Sequence, residues 1–571
     1  MLKLSFRTPA ILLLIPLLSL LFSCTSQKEE KLQVKAKVKQ NLVTATISDP
    51  KTFNILISKE TSSSDVVSPL FEGLVSLNPK TLEHEPMLAE SWEFSEGGKR
   101  WTFHLRKGVK WHDGEPFTAD DIIFTFKAIY DPKVPTSTRD ILSIEGKPFT
   151  LEKVDEMTVR FILPKPFAPF LNSIGAADIM PEHILGKALE EGHFADNWGI
   201  DTPPEKLIGT GPYIMTKYVP AQYVKYKRNP NYWMKDEGGK QLPYLEEQNL
   251  LIVPDQNTLY VKFTAGQTDT HGPRPEEVET LKKDAKKLDI TVKKRGLNTG
   301  TLFVTFNRNP EYFLKNNEAN PRYKWFRDKH FLRGLAHAVD KETIIANTMF
   351  GRGKASVAEI SEENKLFHNP DLKDYKYDLE KALQVLSEGG YKKGEDGLLR
   401  DSDSNIIEFD LNTNAGNHLR EQICSILQED WQKLGIKVNY RPLEFNLLVE
   451  KLDNTYQWDA ILIGFTAGIE PHNGASLHRS SGHLHMWHPK QKKPASAWEA
   501  EIDRLIEAGA SEMDTEKRKK IYYRLQEIYH EELPMIQMVR QEVYSAYKNK
   551  LLNYDPTVWG LYKSERIKIK E

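Results

Sequence analysis

The densest group of chemistry-capable side chains is a run of histidines: His472, His478, His483, His485 and His488. Imidazole is the commonest metal ligand in proteins. Capture of a metal or metal chelate through His483 and His485 is therefore one reading. Their spacing matches no fixed metal motif, and the serine, glycine and proline neighbours favour a polar surface loop with incidental histidines. The signatures of catalysis are missing: no Gly-x-Ser-x-Gly elbow, no His-Glu-x-x-His, and no Walker or dinucleotide fingerprint. His530-Glu531-Glu532-Leu533-Pro534 lacks a second histidine, and neither a phosphate-binding lysine nor a helix pattern follows Gly209-Thr210-Gly211. The chain is expected not to be an enzyme and to carry no cofactor, a lipoprotein hydrolase being the alternative of a different class.

The start of the chain sets the compartment. Lys3 and Arg7 precede a nearly all-apolar run from Pro9 to Phe22, too short for a span of about 20 residues but suited to a secretory signal peptide. The run ends Leu21-Phe22-Ser23-Cys24, which resembles a lipobox. That resemblance implies residues 1–23 as a signal peptide, lipidation of Cys24 and anchoring to a membrane of the cell envelope, while an ordinary signal peptide with an incidental cysteine stays open. Residues 24–40, polar and lysine-rich beyond Gln27, read as a tether.

Beyond the tether, length and charge describe a soluble body. A chain of 571 residues exceeds a single core and predicts two or three lobes. The balance of 78 basic and 80 acidic residues lacks the excess that a nucleic-acid surface requires. With only Cys24 and Cys424 present there is no disulfide framework, and the helical pattern around Cys424 makes it a small core residue. Strands and helices alternate: Leu42–Ile47 as a strand, Asp65–Phe71 as a helix, Met157–Leu163 as a strand, then His418–Leu434, Ile436–Tyr440, Phe445–Leu452, Trp458–Gly464 and Thr515–Glu532 in the second half. This ordering predicts α/β lobes with mixed sheets.

One segment is specific. In AESWEFSEGGKRWTFHLRKGVKWHDGEPFTADDIIFTF (89–126), Trp101, Phe103 and Leu105 alternate as in a half-buried strand, Asp113-Gly114 marks a turn, and Thr118 with Asp121 forms a capping box before an apolar helical face at Ile122, Ile123, Phe126 and Ile129. The string LRKGVKWHDG followed by FTADD, together with PLFEGLV (69–75) and GTGPY (209–213), closely resembles the peptide/nickel solute-binding proteins (family 5) that serve ABC importers.

The resemblance implies an α/β, bilobal periplasmic-binding-protein-like fold (class II, cluster C) with an extra subdomain inserted in lobe I: lobe I at 41–75, 201–298 and 531–571, the inserted subdomain at 76–200, and lobe II at 299–530. It implies a monomer that captures oligopeptide between the lobes and delivers it to ABC transporter permease subunits. The same mechanism applied to a nickel or other metal chelate or small solute, and a peptide-sensing surface lipoprotein without transport, are the alternatives. Motif matching places Glu60, Thr61, Ser62 and Ser63 in a loop entering the cleft, with a plain polar turn and helix cap as the other reading. It also places Phe445 against the ligand or in the core, and makes Phe465, Thr466, Ala467, Gly468, Ile469 and Glu470 the opposite wall. Relatives carry an aspartate for the ligand ammonium near the position of Gly468, so that anchor is missing or is replaced by Glu470.

Overall fold

The structure, a computed structural model, describes residues 39–175, 177–314, 320–489 and 491–570. The expected signal segment, Cys24 and nearly all of the tether lie outside the described residues.

Four sheets carry the architecture. The first pairs Asn41–Thr46 in parallel with Glu247–Ile252, which continues antiparallel to Tyr223–Arg228 and then Tyr213–Val219. Between its first two strands in sequence lies an antiparallel sheet ordered Ala89–Ser95, Arg100–Leu105, Thr158–Ile162 and Thr150–Asp155. Its central strand is the one read from Trp101, Phe103 and Leu105, all buried. The helix Ala119–Tyr130 follows as predicted, with the Thr118/Asp121 capping box formed and Ile122, Phe126 and Ile129 buried.

The second lobe is built on a five-stranded mixed sheet: Lys437–Leu443, Glu408–Asn414, Ala460–Ile463, Phe303–Phe306 and Met535–Gln537. Its middle strand, Ala460–Ile463, is apolar at every position because both faces are covered. On Ala460–Ile463, Ala460 and Leu462 join the core beneath the helix His418–Lys433, whereas Ile461 and Ile463 join the core formed with Ile502, Leu505 and Tyr522. Cys424 lies in the first of these cores and is fully buried. The two-residue period of a strand thus divides one hydrophobic run between two cores.

The chain crosses between the lobes near Asn298–Leu302 and again at Met538, where the Met538 amide donates to the Leu302 carbonyl at 2.9 Å. A return to the first lobe was expected from residue 531. Met535–Gln537 instead forms the edge of the five-stranded sheet against Phe303–Thr305, because Met535 and Ile536 complete its buried faces. The next strand, Val539–Lys548, pairs with Ile290–Leu297 and with Gly353–Ala355. Arg540 staples this crossing. Its buried guanidinium donates to the carbonyls of Gly300, Ala358 (2.7 Å) and Glu359 (2.9 Å).

Gly209-Thr210-Gly211 is a packing device. A Cβ on Gly209 would sit 1.8 Å from the Leu70 carbonyl oxygen, and one on Gly211 would meet Leu70 at 2.6 Å. The Gly211 amide donates to that same oxygen at 2.8 Å. The glycines therefore allow backbone to touch backbone.

Candidate functional site

A cavity of about 330 Å³ lies between the lobes, in the size range of small-ligand sites. The first lobe contributes Thr46, Ile47 and Ser48, which continue its edge strand, and Lys59 to Ser62. The second contributes Asn414, Asn417, Arg420, Phe445, Ile463, Phe465 and Thr466, among others.

The residues Glu60 to Ser63 are not a free loop. Glu60 is the N-cap of the helix Thr61–Val67, so Thr61, Ser62 and Ser63 form its first turn. Only Glu60, Thr61 and Ser62 face the cavity. Ser63 is fully buried; it donates to Glu60 and its Oγ accepts from the amides of Lys51 (2.8 Å) and Thr52 (3.2 Å). Its hydroxyl braces the incoming chain, which removes it from the wall. The first polar turn of this helix competes poorly with a loop in a sequence reading, because three serines in a row satisfy either state.

On the facing wall, Phe445 opens the helix Phe445–Glu450 and is half-buried at the cleft. That helix runs into a π-helical turn, Lys451–Thr455, which carries Asp453. Asp453 pairs with Lys59 across the cleft at 3.2 Å, the side chains being 17% and 13% exposed, and Lys51 approaches Glu450 at 3.7 Å. Two ion pairs therefore join the lobes at the cleft rim.

The segment after Ala460–Ile463 is held against the crossing strand. Thr301 donates its amide to the Phe465 carbonyl at 2.8 Å, and a Cβ on Gly300 or Gly464 would collide with the opposing carbonyl at 2.2 and 2.3 Å. Phe465 stacks on Phe303 with 5.9 Å between ring centres and borders the cleft together with Thr466. Ala467, Gly468 and Glu470 turn toward a second cavity of about 420 Å³. Ile469 faces neither cavity; its carbonyl accepts from Asn364 Nδ2 at 2.8 Å. Glu470 is already neutralised. Its buried Oε1 accepts from Arg518 Nη2 at 2.6 Å and from the His472 amide at 3.1 Å, so it does not stand in as a free ammonium anchor.

Arg420 was not singled out in the sequence, yet it is the notable charge of the cleft. It sits in the first turn of the helix His418–Lys433, whose N-terminus points positive potential at the same wall. Nη1 donates to Asn414 Oδ1 at 2.8 Å, and among the described residues no carboxylate forms an ion pair with it. Burial pushes the guanidinium down to about 10. A cation and a helix N-terminus together form an anion site. The signal was the helix start at Asn417, read together with an arginine one turn in.

The histidine-rich segment is a correction: it is packed, not a surface loop. His472, His478 and His485 are buried. His472 Nε2 contacts the Ile141 carbonyl at 3.1 Å, His478 Nδ1 the Tyr529 hydroxyl at 2.7 Å, and His485 Nδ1 the Leu477 carbonyl at 3.0 Å. His483 Nδ1 lies 3.1 Å from Asp140 Oδ2. Burial lowers His478 to about 3, and burial with the Arg479 charge lowers His472 well below the usual imidazole value. His483 and His485 thus point to different partners, and among the described residues no group of three or more His, Cys, Asp or Glu is placed to hold a metal ion. The rings of His472, His478, His483 and His485 each have an internal partner for one polar edge, which is what lets such a polar stretch be packed.

Residues 83–484 match the family model of bacterial extracellular solute-binding proteins, family 5. The chain is 29% identical to the oligopeptide-binding protein AppA of Bacillus subtilis (strain 168) over 92% of each chain, and 29% identical to the dipeptide-binding protein of Escherichia coli (strain K12) over 93% of this chain and 95% of that one. The solved structure of AppA in complex with a nonapeptide superposes with a TM-score of 0.79 at 26% identity, covering 93% of this chain and 99% of the other. With the bilobal fold and interlobe cleft in place, these likenesses establish that the chain belongs to the bacterial extracellular solute-binding proteins of family 5.

Proposed function

We propose that this protein is the substrate-binding component of an ABC importer, capturing oligopeptides between its lobes and delivering them to the membrane permease. The observation that carries the reading is the Arg420 wall: an ion-unpaired guanidinium at a helix N-terminus, opening on a cleft bounded by both lobes. A peptide carboxylate satisfies that charge, while the hydroxyls and amides of Thr46, Ser48, Asn414 and Asn417 serve backbone groups without reading side chains. Phe445 and Phe465 supply apolar surface. A ligand touching both walls favours the closed arrangement by its differential affinity, and the rim pairs Lys59–Asp453 and Lys51–Glu450 add to that closure. The relatives named as oligopeptide- and dipeptide-binding proteins support the ligand class.

The reading includes no catalytic step. Native mass spectrometry of protein isolated without refolding tests it: an unmodified co-purified peptide is the expected result. An empty protein whose scattering profile is unchanged by any of a broad set of short peptides overturns it. The same reading removes residues 1–23, lipidates Cys24 and uses residues 24–40 as a tether for a monomeric body. The intact mass of the mature N-terminus checks this, with a lipid-modified Cys24 expected and any other N-terminus refuting it.

A further inference from the structure

The histidine-rich segment packs within its own lobe and also grips the other one. Thr138–Ile141 is a short helix in the part of the chain that carries the antiparallel sheet. Leu142 and Ile144, just after it, share one hydrophobic core with Phe53 and Leu250 of the first lobe, so this part moves with that lobe. Ala475, Leu477 and Met486 belong instead to the core built on Ile461 and Ile463 of the second lobe. Contacts between the two sets are therefore contacts between lobes.

Asp140 is the centre of this contact. Its Oδ2 accepts from Ser476 Oγ at 2.6 Å and from the amide and Nδ1 of His483, each at 3.1 Å. Its side chain is only 15% exposed. Arg479 reaches back in the opposite direction. It donates to the carbonyls of Asp140 and Ser143, the latter at 3.2 Å, and pairs with Glu507 at 2.7 Å. The other oxygen of Glu507 accepts from the Glu145 amide at 2.8 Å. Each side thus presents a charge that the other side satisfies.

Two features distinguish this contact from a permanent joint. First, it is polar. Among the described residues, Ala510 is the one buried apolar residue of the second lobe that joins the first lobe's core. Opening exposes little apolar surface, and water replaces the lost hydrogen bonds at modest net cost. Polar interfaces of this kind permit relative motion of the parts they join. Second, it stands outside the ligand space. Asp140, Ser476, Arg479 and His483 border neither cavity, whereas Leu484 and Met486 of the same segment face the cleft. The contact therefore holds the lobes, and one wall of the cleft, without touching cargo.

We propose that Asp140 and the segment 476–483 form a ligand-independent clasp, which holds the lobes together outside the cleft and adds the same increment to the retention of every ligand. Its effect on retention rests on the proposed binding function; its effect on the empty protein does not. The clasp shares no residue with the rim pairs Lys59–Asp453 and Lys51–Glu450. It makes the chain carrying the antiparallel sheet a working part of closure.

The test uses the full chain, with trialanine and its C-terminal amide as probes. In Asp140→Ala, with secondary structure intact by circular dichroism, the empty protein is expected to show a larger scattering radius than the unaltered one. Both probes should bind about tenfold more weakly, the worth of one hydrogen bond to a charged group, with the ratio of their affinities preserved. Ser476→Ala, which removes one donor from the same oxygen, serves should the first variant fail to fold. An unchanged radius in a folded variant overturns the clasp and leaves peptide capture standing. A loss of affinity confined to one probe also overturns it, by making Asp140 a residue of the cleft. Failure of both probes to bind the unaltered protein counts against peptide capture and not against the clasp, which the radius of the empty proteins then decides by itself.

Discussion

Replacing Arg420 with glutamine should separate ligand binding from stability. Burial pushes the guanidinium down to about 10, and at 1.36 kcal/mol per pH unit the displacement corresponds to roughly 3 kcal/mol against the charged form. The side chain keeps part of its surface open to the cleft, so solvent screening reduces the effective figure to about 1–2 kcal/mol. Glutamine removes that penalty and with it the bond to Asn414 at 2.8 Å, worth about 1.5 kcal/mol for a charged donor. The two nearly cancel, so denaturant unfolding of the empty protein should change by less than about 1 kcal/mol. Ligand binding has no such compensation. A buried carboxylate deprived of its cation loses about 2–4 kcal/mol, or roughly 30- to 1,000-fold in Kd. Calorimetry with a peptide and its C-terminal amide provides the internal control: the variant should no longer distinguish them. An unfolding free energy lowered by more than about 3 kcal/mol, with the preference for a free carboxylate intact, would refute the reasoning and make Arg420 a structural residue.

Three further outcomes are expected. Gly209→Ala forces a methyl to within 1.8 Å of the Leu70 carbonyl and should cost about 3 kcal/mol or more in urea unfolding; a change below about 1 kcal/mol would reject the packing account. His478, 6% exposed, is neutral in the folded protein down to about pH 3 and titrates near 6.5 when unfolded. The unfolded chain therefore binds the extra proton between these values, so this contribution is complete above pH 6.5 and is lost as the pH falls toward 3. The loss has reached roughly 2 kcal/mol at pH 5. His478→Gln should lose less stability than the unaltered protein between pH 7 and 5, and identical pH profiles would contradict the assignment. Lys59→Asp and Asp453→Lys should each weaken closure by about 1–2 kcal/mol, read as an expanded scattering radius and a higher Kd. The double swap should restore both, and a double variant no better than the singles would remove the rim pair from the mechanism.

Much of the architecture was readable because local signals agreed. The capping box at Thr118 and Asp121, the alternation at Trp101 to Leu105 and the continuous helix Thr515–Glu532 each reflect interactions within a few residues. Trp458–Gly464 read as a buried strand because both of its faces are covered. The candidate site was less legible. Glu60, Thr61, Ser62, Phe445 and Phe465 do come together at one cavity, but Ser63 and Ile469 turn away, and Arg420 emerged only from the structure. Whether a side chain faces a cleft depends on elements hundreds of positions apart, such as Lys59 and Asp453.

From its order of residues alone, the chain determined its α/β alternation, its lack of a disulfide framework and the motifs of its family, because each depends on composition or on neighbours along the backbone. Only the tertiary structure decided what its polar residues do. Of five histidines that read as a solvent-facing loop, His472, His478 and His483 are packed against Ile141, Tyr529 and Asp140, and an acid at 470 that resembled a ligand anchor is taken up by Arg518. The reason is electrostatic: a charge or a hydrogen-bonding edge acquires its role from the partner that satisfies it, and that partner is supplied by folding.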